Sequence, residues 1–208
     1  MAIITPSSTI VFGKFSFGQK RADIDEVSEP SGAVSTRLLG PPRWRLSVMS
    51  PPKLSLTQIG IWQPMVMNLR GRVNHLAMWD VGQPAPVGTM RGTMTLNGAV
   101  VAGAVTASVS GGGAQASTTL KANDWLQIGT GLTSQLVCIT ADATANASGI
   151  ISTTFEPPLR IGYAGGTAVT WDRPVAHYKA MGGSGMIDYD PGYLTKGSIA
   201  LDLLEQWT

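Results

Sequence analysis

"SIALDLLEQWT" (residues 198–208) holds Ile199, Leu201, Leu203, Leu204 and Trp207, and the period assigned to it decides what kind of fold the chain builds. A helix would align Ala200, Leu203, Leu204 and Trp207 on one face. A strand would set Ile199, Leu201 and Leu203 on one side and Ala200, Asp202 and Leu204 on the other, with Trp207 returning to the first side. Chain ends fray unless something ties them down. Under either period this apolar segment needs a cover, and the candidates are an apolar stripe near residues 55–70 or a neighbouring copy of the chain.

Upstream of that segment the chain is a series of short runs punctuated by Gly, Pro and Asn. They include "TIVFGKFSF" (9–17), "RWRLSVM" (43–49), "VNHLAMWD" (73–80), "GTMTLNG" (92–98), "AVVAGAVTASV" (99–109), "ASTTLKA" (116–122), "WLQIG" (125–129), "QLVCITA" (135–141), "IISTTFE" (150–156), "LRIGY" (159–163), "AVTWD" (168–172) and "PVAHYKAM" (174–181). Many alternate or carry β-branched residues, and turn signals recur every ~8–12 residues, as in sandwiches and barrels. The fold class expected is mainly β.

One segment departs from this pattern. In "SLTQIGIWQPMVMNLRGR" (55–72), Ile59, Trp62, Met65, Val66 and Leu69 recur at helical spacing. Ser55 and Gln58 are placed for a capping box, and Gly71 for a stop. Pro64 crowds the carbonyl four residues back, at Gly60, so a kinked helix over 55–70 or two short turns is expected. Its stripe reads as ordinary core.

At 208 residues the chain is longer than a typical domain of ~100–150. Charged residues make up only 13%, against ~25% in an average soluble protein. Because charge is depleted at the centres of interfaces, that deficit points to a surface partly covered by other subunits. The formal charge of +2 creates no field that implies nucleic acid or an anionic membrane as a partner. Residues 17–40 concentrate charge without periodicity and read as a long loop or arm. Residues 82–91 ("GQPAPVGTMR") read as a linker. Beyond it the composition shifts to Gly, Ala, Ser and Thr, so residues 92–157 are expected to form an inserted small β module between two parts of one host domain, 1–91 and 158–208.

A search for chemistry finds no site. Cys138 is the single cysteine, so there is no internal disulfide, and in "QLVCITA" it reads as an inert thiol. His75 and His177 sit in expected strands and read as packed residues. "GGSGM" (182–186) lacks the strand–elbow–helix context of a nucleophilic serine. "DYDPG" (188–192) reads as a turn rather than a calcium loop. "SGGGAQAS" (110–117) has no phosphate-loop ending and reads as a connector. Asp124 reads as a turn residue leading into a strand, and Trp125 as core unless exposed, when it would offer a face for glycan stacking. "MAIITPSS" shows no signal-peptide pattern, and no run approaches the ~20 apolar residues of a membrane span. The expectation is a non-enzyme with no catalytic residues, metal or cofactor.

Three stretches carry a resemblance. "RWRLSVMSPPKLSLTQIGIWQPMVMNLRGRVNHLAMWD" has the strand, helix, "LRG" and strand order of tail-tip proteins of long-tailed bacteriophages. "NDWLQIGTGLTSQLVCITADATANASGIISTTFEPPLR" resembles their inserted β module, and "SIALDLLEQW" their last strand. The family resembled is the distal tail protein. The resemblance implies a split, tail-tube-like β-barrel or sandwich domain with one flanking α-helix, plus an inserted small β-barrel. It also implies a structural virion protein: a ring of six copies that joins the tail tube to the baseplate or tip and lines the DNA channel. Its partners would be itself, the tail tube protein, hub or tail-tip proteins, and DNA passing without sequence-specific contacts; its location would be the virion tail. The alternative is a carbohydrate-binding module acting through Trp125. With the resemblance, the closing segment is assigned as a strand, and Trp62, Leu201, Leu203 and Trp207 become the expected structural or interface residues.

Overall fold

The computed structural model describes residues 1–182, 185, 187–190 and 195–207. In chain order the elements are β1 (Ile3–Ile4), β2 (Lys14–Val27), β3 (Val34–Met49), α1 (Leu56–Leu69), β4 (His75–Met78), β5 (Met94–Leu96), β6 (Thr106–Ser110), β7 (Thr119–Leu120) and β8 (Trp125–Ile128). They continue with β9 (Gln135–Ile139), β10 (Ala143–Thr144), β11 (Ile150–Glu156), β12 (Ala168–Thr170), β13 (Ala176–Ala180), β14 (Ile187–Asp190) and β15 (Thr195–Glu205). Among the described residues the protein is mainly β with one α-helix, as expected. "GGSGM" (182–186) and "DYDPG" (188–192) run across positions outside the described residues.

Two bodies of sheet share the chain. A seven-stranded sheet runs β1-β4-β13-β15-β3-β2, with β14 also paired to β15. A closed barrel runs β11-β6-β5-β12-β8-β9. The barrel takes β12, so its strands extend past the expected insert end at residue 157. "LRIGY" forms no strand; Tyr163 contributes only an isolated bridge to Val100. The barrel encloses its own core, with Met94, Leu126, Val137, Ile151 and Phe155 inside.

β15 lies in the middle of the large sheet, paired to β3 through Leu203↔Leu46 and to β13 through Ala180↔Leu203. Ile199, Leu201 and Leu203 are buried while Ala200 and Asp202 are exposed, which is the strand period. Their cover is α1. Ile59, Trp62, Met65 and Leu69 join Leu46, Val48, Leu76 and Tyr178 in one core with the β15 residues.

α1 is one helix running through Pro64 rather than two turns. The Ser55 hydroxyl accepts from the Gln58 amide at 3.3 Å, so half of the capping box forms. The other half does not. The Gln58 side chain accepts from Val11 N (3.1 Å) and donates to the Thr9 carbonyl (3.2 Å), tying the N-terminal segment to the helix. At the far end Arg70, with φ 47°, turns left-handed before Gly71 does, and its amide donates to the Met67 carbonyl.

Of the two readings, loop or arm, residues 17–40 form an arm. β2 and β3 pair continuously in register from Lys14↔Met49 out to Val27↔Val34, with irregularities between Lys20 and Asp23. Beyond Lys20 the pair leaves the sheet as a two-stranded ribbon, and every residue from Arg21 to Leu39 is exposed.

Candidate functional site

The polar groups concentrate at the seam where the barrel meets the sheet. Glu205 continues the buried phase of β15 and is 3% exposed. Its carboxylate accepts from the Trp44 amide at 3.0 Å and lies 3.8 Å from the Arg160 guanidinium. Burial pushes this carboxyl above the usual glutamate range, against the opposing pull of the Trp44 amide and of Arg160 and Arg43. Arg160 belongs to the segment after β11. It donates from its backbone N (2.8 Å) and Nε (3.1 Å) to Gln135 Oε1, and from its terminal nitrogen to the Ser134 carbonyl (2.8 Å). Its guanidinium lies 4.0 Å over the Trp207 ring, and that of Arg43 lies 4.6 Å over the same ring. Trp207 is thus half-buried beneath two cations from different elements, an arrangement in which ring quadrupole and charge attract.

Below this polar layer is an aromatic one. Trp44 stacks on Phe17 at 5.1 Å, and Trp125 meets both rings edge-on at 5.1 and 5.2 Å. The Trp44 indole donates to the Leu136 carbonyl of the barrel at 3.0 Å. Trp125 is 7% exposed, so it presents no ring face to a saccharide; its burial against Phe17 and Trp44 removes the glycan contact that an exposed ring would offer. Trp62, Leu201 and Leu203 are equally internal. The Trp62 indole donates to the Val11 carbonyl, and its ring meets Phe12 edge-on. These three hold this chain together rather than forming an exposed interface.

His177 and Ser134 also meet in the seam, with Oγ to Nδ1 at 3.5 Å. The Ser134 hydroxyl donates to the Gly131 carbonyl at 2.8 Å, and no carboxylate hydrogen-bonds to His177 among the described residues. The orienting group that a triad requires is therefore not in place. Burial, with smaller contributions from His75 and Arg160, lowers His177 to about 4. His75 is fully buried with both ring nitrogens unpartnered, and burial, Lys179 and the N-terminal amine lower it too. Cys138 is pushed up to about 11 by burial and by Asp124 and Asp80, so at neutral pH it stays a thiol. Among the described residues no group of three or more His, Cys, Asp and Glu is arranged to hold a metal ion, and no helix is long and apolar enough to cross a membrane.

Asp124 does more than start a strand. Fully buried, it accepts from Val87 N (2.7 Å), Gly88 N (3.1 Å), Lys121 N (2.7 Å) and Gln83 Nε2 (3.1 Å). Arg91 donates to the Pro86, Gly88 and Met90 carbonyls. Gly88 is obligatory here, because a Cβ would run into Thr119 O, Leu120 Cα and Asp124 Oδ2. The segment 82–91 is therefore pinned irregular structure, not a loose linker. Gln115 of the glycine stretch 110–117 accepts from Arg91 N at 2.7 Å, which ties that connector down as well.

Sequence reasoning missed Glu205, Arg160 and the partners of Asp124. The signal for Glu205 was available: it stands in phase with Ile199, Leu201 and Leu203, and a carboxylate on a buried face needs a cation.

No protein-family model matches the chain, and no curated protein matches it.

Proposed function

We propose that this protein is a structural subunit of a phage tail. In this reading six copies close into a ring at the distal end of the tail, joining tube to baseplate or tip around a channel for DNA. The observation that carries it is the β2–β3 ribbon. A two-stranded ribbon alone in water is marginal, yet Arg21–Leu39 extend from the sheet with Ile24, Val27, Val34, Leu38 and Leu39 all exposed. An element with no core of its own is explained if its core is supplied by another subunit. The low charge content and the resemblance of three stretches to distal tail proteins support the same reading, and a head-to-tail interface that closes makes a ring. The alternative, a carbohydrate-binding module, depends on an exposed Trp125 and has no observation in its favour.

Negative-stain imaging and light scattering of the purified protein, alone and mixed with tail tubes, test the proposal. Rings with sixfold symmetry, or capping of tube ends, are the expected result. A protein that stays monomeric at high concentration and never joins a tube would overturn it.

A further inference from the structure

The two faces of the large sheet differ in what covers them. α1 and the seam aromatics cover one, and register fixes what stands on the other: Lys14, Ser16, Gly18 and Lys20 on β2, opposite Met49, Ser47, Arg45 and Arg43 on β3. Asp202 and Leu204 follow on β15, beside Ser47 and Arg45. Among the described residues this open face carries Lys14, Lys20, Arg43 and Arg45 against one acid, Asp202, in a chain whose totals are 15 basic and 13 acidic residues. The side chains of Lys14, Lys20 and Arg45 make no hydrogen bond or ion pair among the described residues. A groove of about 510 Å³ opens beside Lys20 and Arg45, with Ser16, Gly18, Ser47 and Asp202 among its other lining residues. A second hollow of about 310 Å³ adjoins it at Lys20, with Arg21 and Arg43 on its walls.

The ribbon has the opposite character. Past the irregularity at Ala22, the pairs Asp23↔Leu38, Asp25↔Thr36 and Val27↔Val34 place two aspartates and three apolar side chains on one face. Glu26 stands with Ile24 and Arg37 on the other face, and Glu29 follows in the turn at the ribbon's tip. Asp23 and Asp25 are two residues apart on their strand, as Arg43 and Arg45 are on theirs, so both pairs repeat at about 7 Å. Extended chain carries the ribbon roughly 20–25 Å beyond its own sheet. Every residue from Arg21 to Leu39 is exposed, so the ribbon does not pack on the face whose charge it matches, and the match is to another molecule.

We propose that the acidic outer half of the β2–β3 ribbon docks across the basic open face of the sheet in a second copy of this chain. Asp23 and Asp25 lie against Lys20, Arg43 and Arg45, and Leu38, Val34 and Val27 cover Met49 and Leu204. This rests on the assembly reading above and adds to it which surfaces meet. The contact is heterologous: every copy offers one ribbon and one face.

Charge reversal tests it. Two variants are made, Asp23→Lys with Asp25→Lys on the ribbon, and Lys20→Glu with Arg45→Glu on the face; thermal melts establish that each folds like the wild type. In sedimentation at low salt each is expected to self-associate at least about tenfold more weakly than wild type, since like charges now face each other. The chain carrying all four substitutions is expected to recover association. Two reversed variants that assemble as the wild type does would overturn this docking while leaving the ring reading intact. A wild-type chain that never associates would overturn both. A ribbon reversal without effect on association, alongside a face reversal that abolishes binding of a short DNA duplex, would assign the basic face to nucleic acid instead and overturn the docking.

Discussion

The inner and outer halves of the β2–β3 hairpin have the same backbone and opposite circumstances. From Lys14 to Lys20 and from Arg43 to Met49 the pair has β15 beside it and α1 above it, and side chains alternate, between half-buried and exposed on β2 and between buried and more open on β3. From Arg21 to Leu39 the pairing continues, but no side chain is buried. Backbone hydrogen bonding is common to both halves, so it does not distinguish them. What the inner half has in addition is a third strand and a covering layer, and with them the apolar area whose removal from water stabilises a sheet. The outer half is geometrically complete and energetically unfinished.

The sharpest way to break this contrast is to remove what covers the inner half. Deleting residues 199–208 takes away the strand that separates β3 from β13, and no cooperative thermal transition is expected in the truncated chain. A truncated protein that melted cooperatively would show that the sheet survives without its centre. Trp62→Ala empties a fully buried site under α1 and should cost about 4 kcal/mol in denaturant unfolding, within the range for large aromatic deletions.

Acid gives a smaller effect. His177 sits near 4 in the folded protein and near 6.5 when unfolded, so the folded state holds it neutral. Its contribution is fully present above pH 6.5 and is lost as pH falls toward 4, by at most roughly 3 kcal/mol. Unfolding free energy measured across that window should fall in the wild type, and His177→Gln should flatten the decline. An unchanged slope in the variant would assign the acid sensitivity to other groups.

The smallest effect is expected from the outer half. Replacing residues 22–39 with a short turn should change monomer stability by no more than about 0.5 kcal/mol, as for exposed positions without special contacts. The same change should abolish self-association. A large loss of monomer stability would mean that the ribbon supports its own sheet after all.

Alternation explains what could be read from sequence and what could not. Ile199, Leu201 and Leu203 alternate with exposed neighbours, and Ile59, Trp62, Met65 and Leu69 repeat at helical spacing, because in each case one face is buried and the other is not. In the ribbon neither face is buried, so Asp23 to Val27 show no hydrophobic period, and the segment reads as a loop or arm with no sign of its strand pairing. "AVTWD" (168–172) has strand character and forms β12, but nothing in its few residues shows that it closes the barrel, next to β5 and β8, rather than joining the large sheet. "LRIGY" looked like a strand from its β-branched and aromatic content, but Arg160 and Tyr163 there serve side-chain contacts across the seam: Arg160 reaches Gln135, and the Tyr163 hydroxyl donates to the Thr133 carbonyl. Asp124 was read from its neighbours in sequence, while most of its partners come from Gln83, Val87 and Gly88, more than thirty residues earlier. The seam was illegible because its pairs are long-range: no local window joins Trp44 to Glu205.

The two connections of the barrel run side by side, with the Arg173 amide donating to the Pro84 carbonyl at 2.7 Å. Chain enters and leaves through one gate, the arrangement in which a module can be exchanged between lineages without rerouting its host. Yet the barrel is also the roof over Trp44 and Phe17 and the source of the guanidinium beside Glu205. Changes in the barrel's outer loops would leave these contacts untouched, whereas a barrel without a tryptophan-sized apolar surface and a cation at its floor would leave Trp44 uncovered and the buried Glu205 carboxylate without its guanidinium.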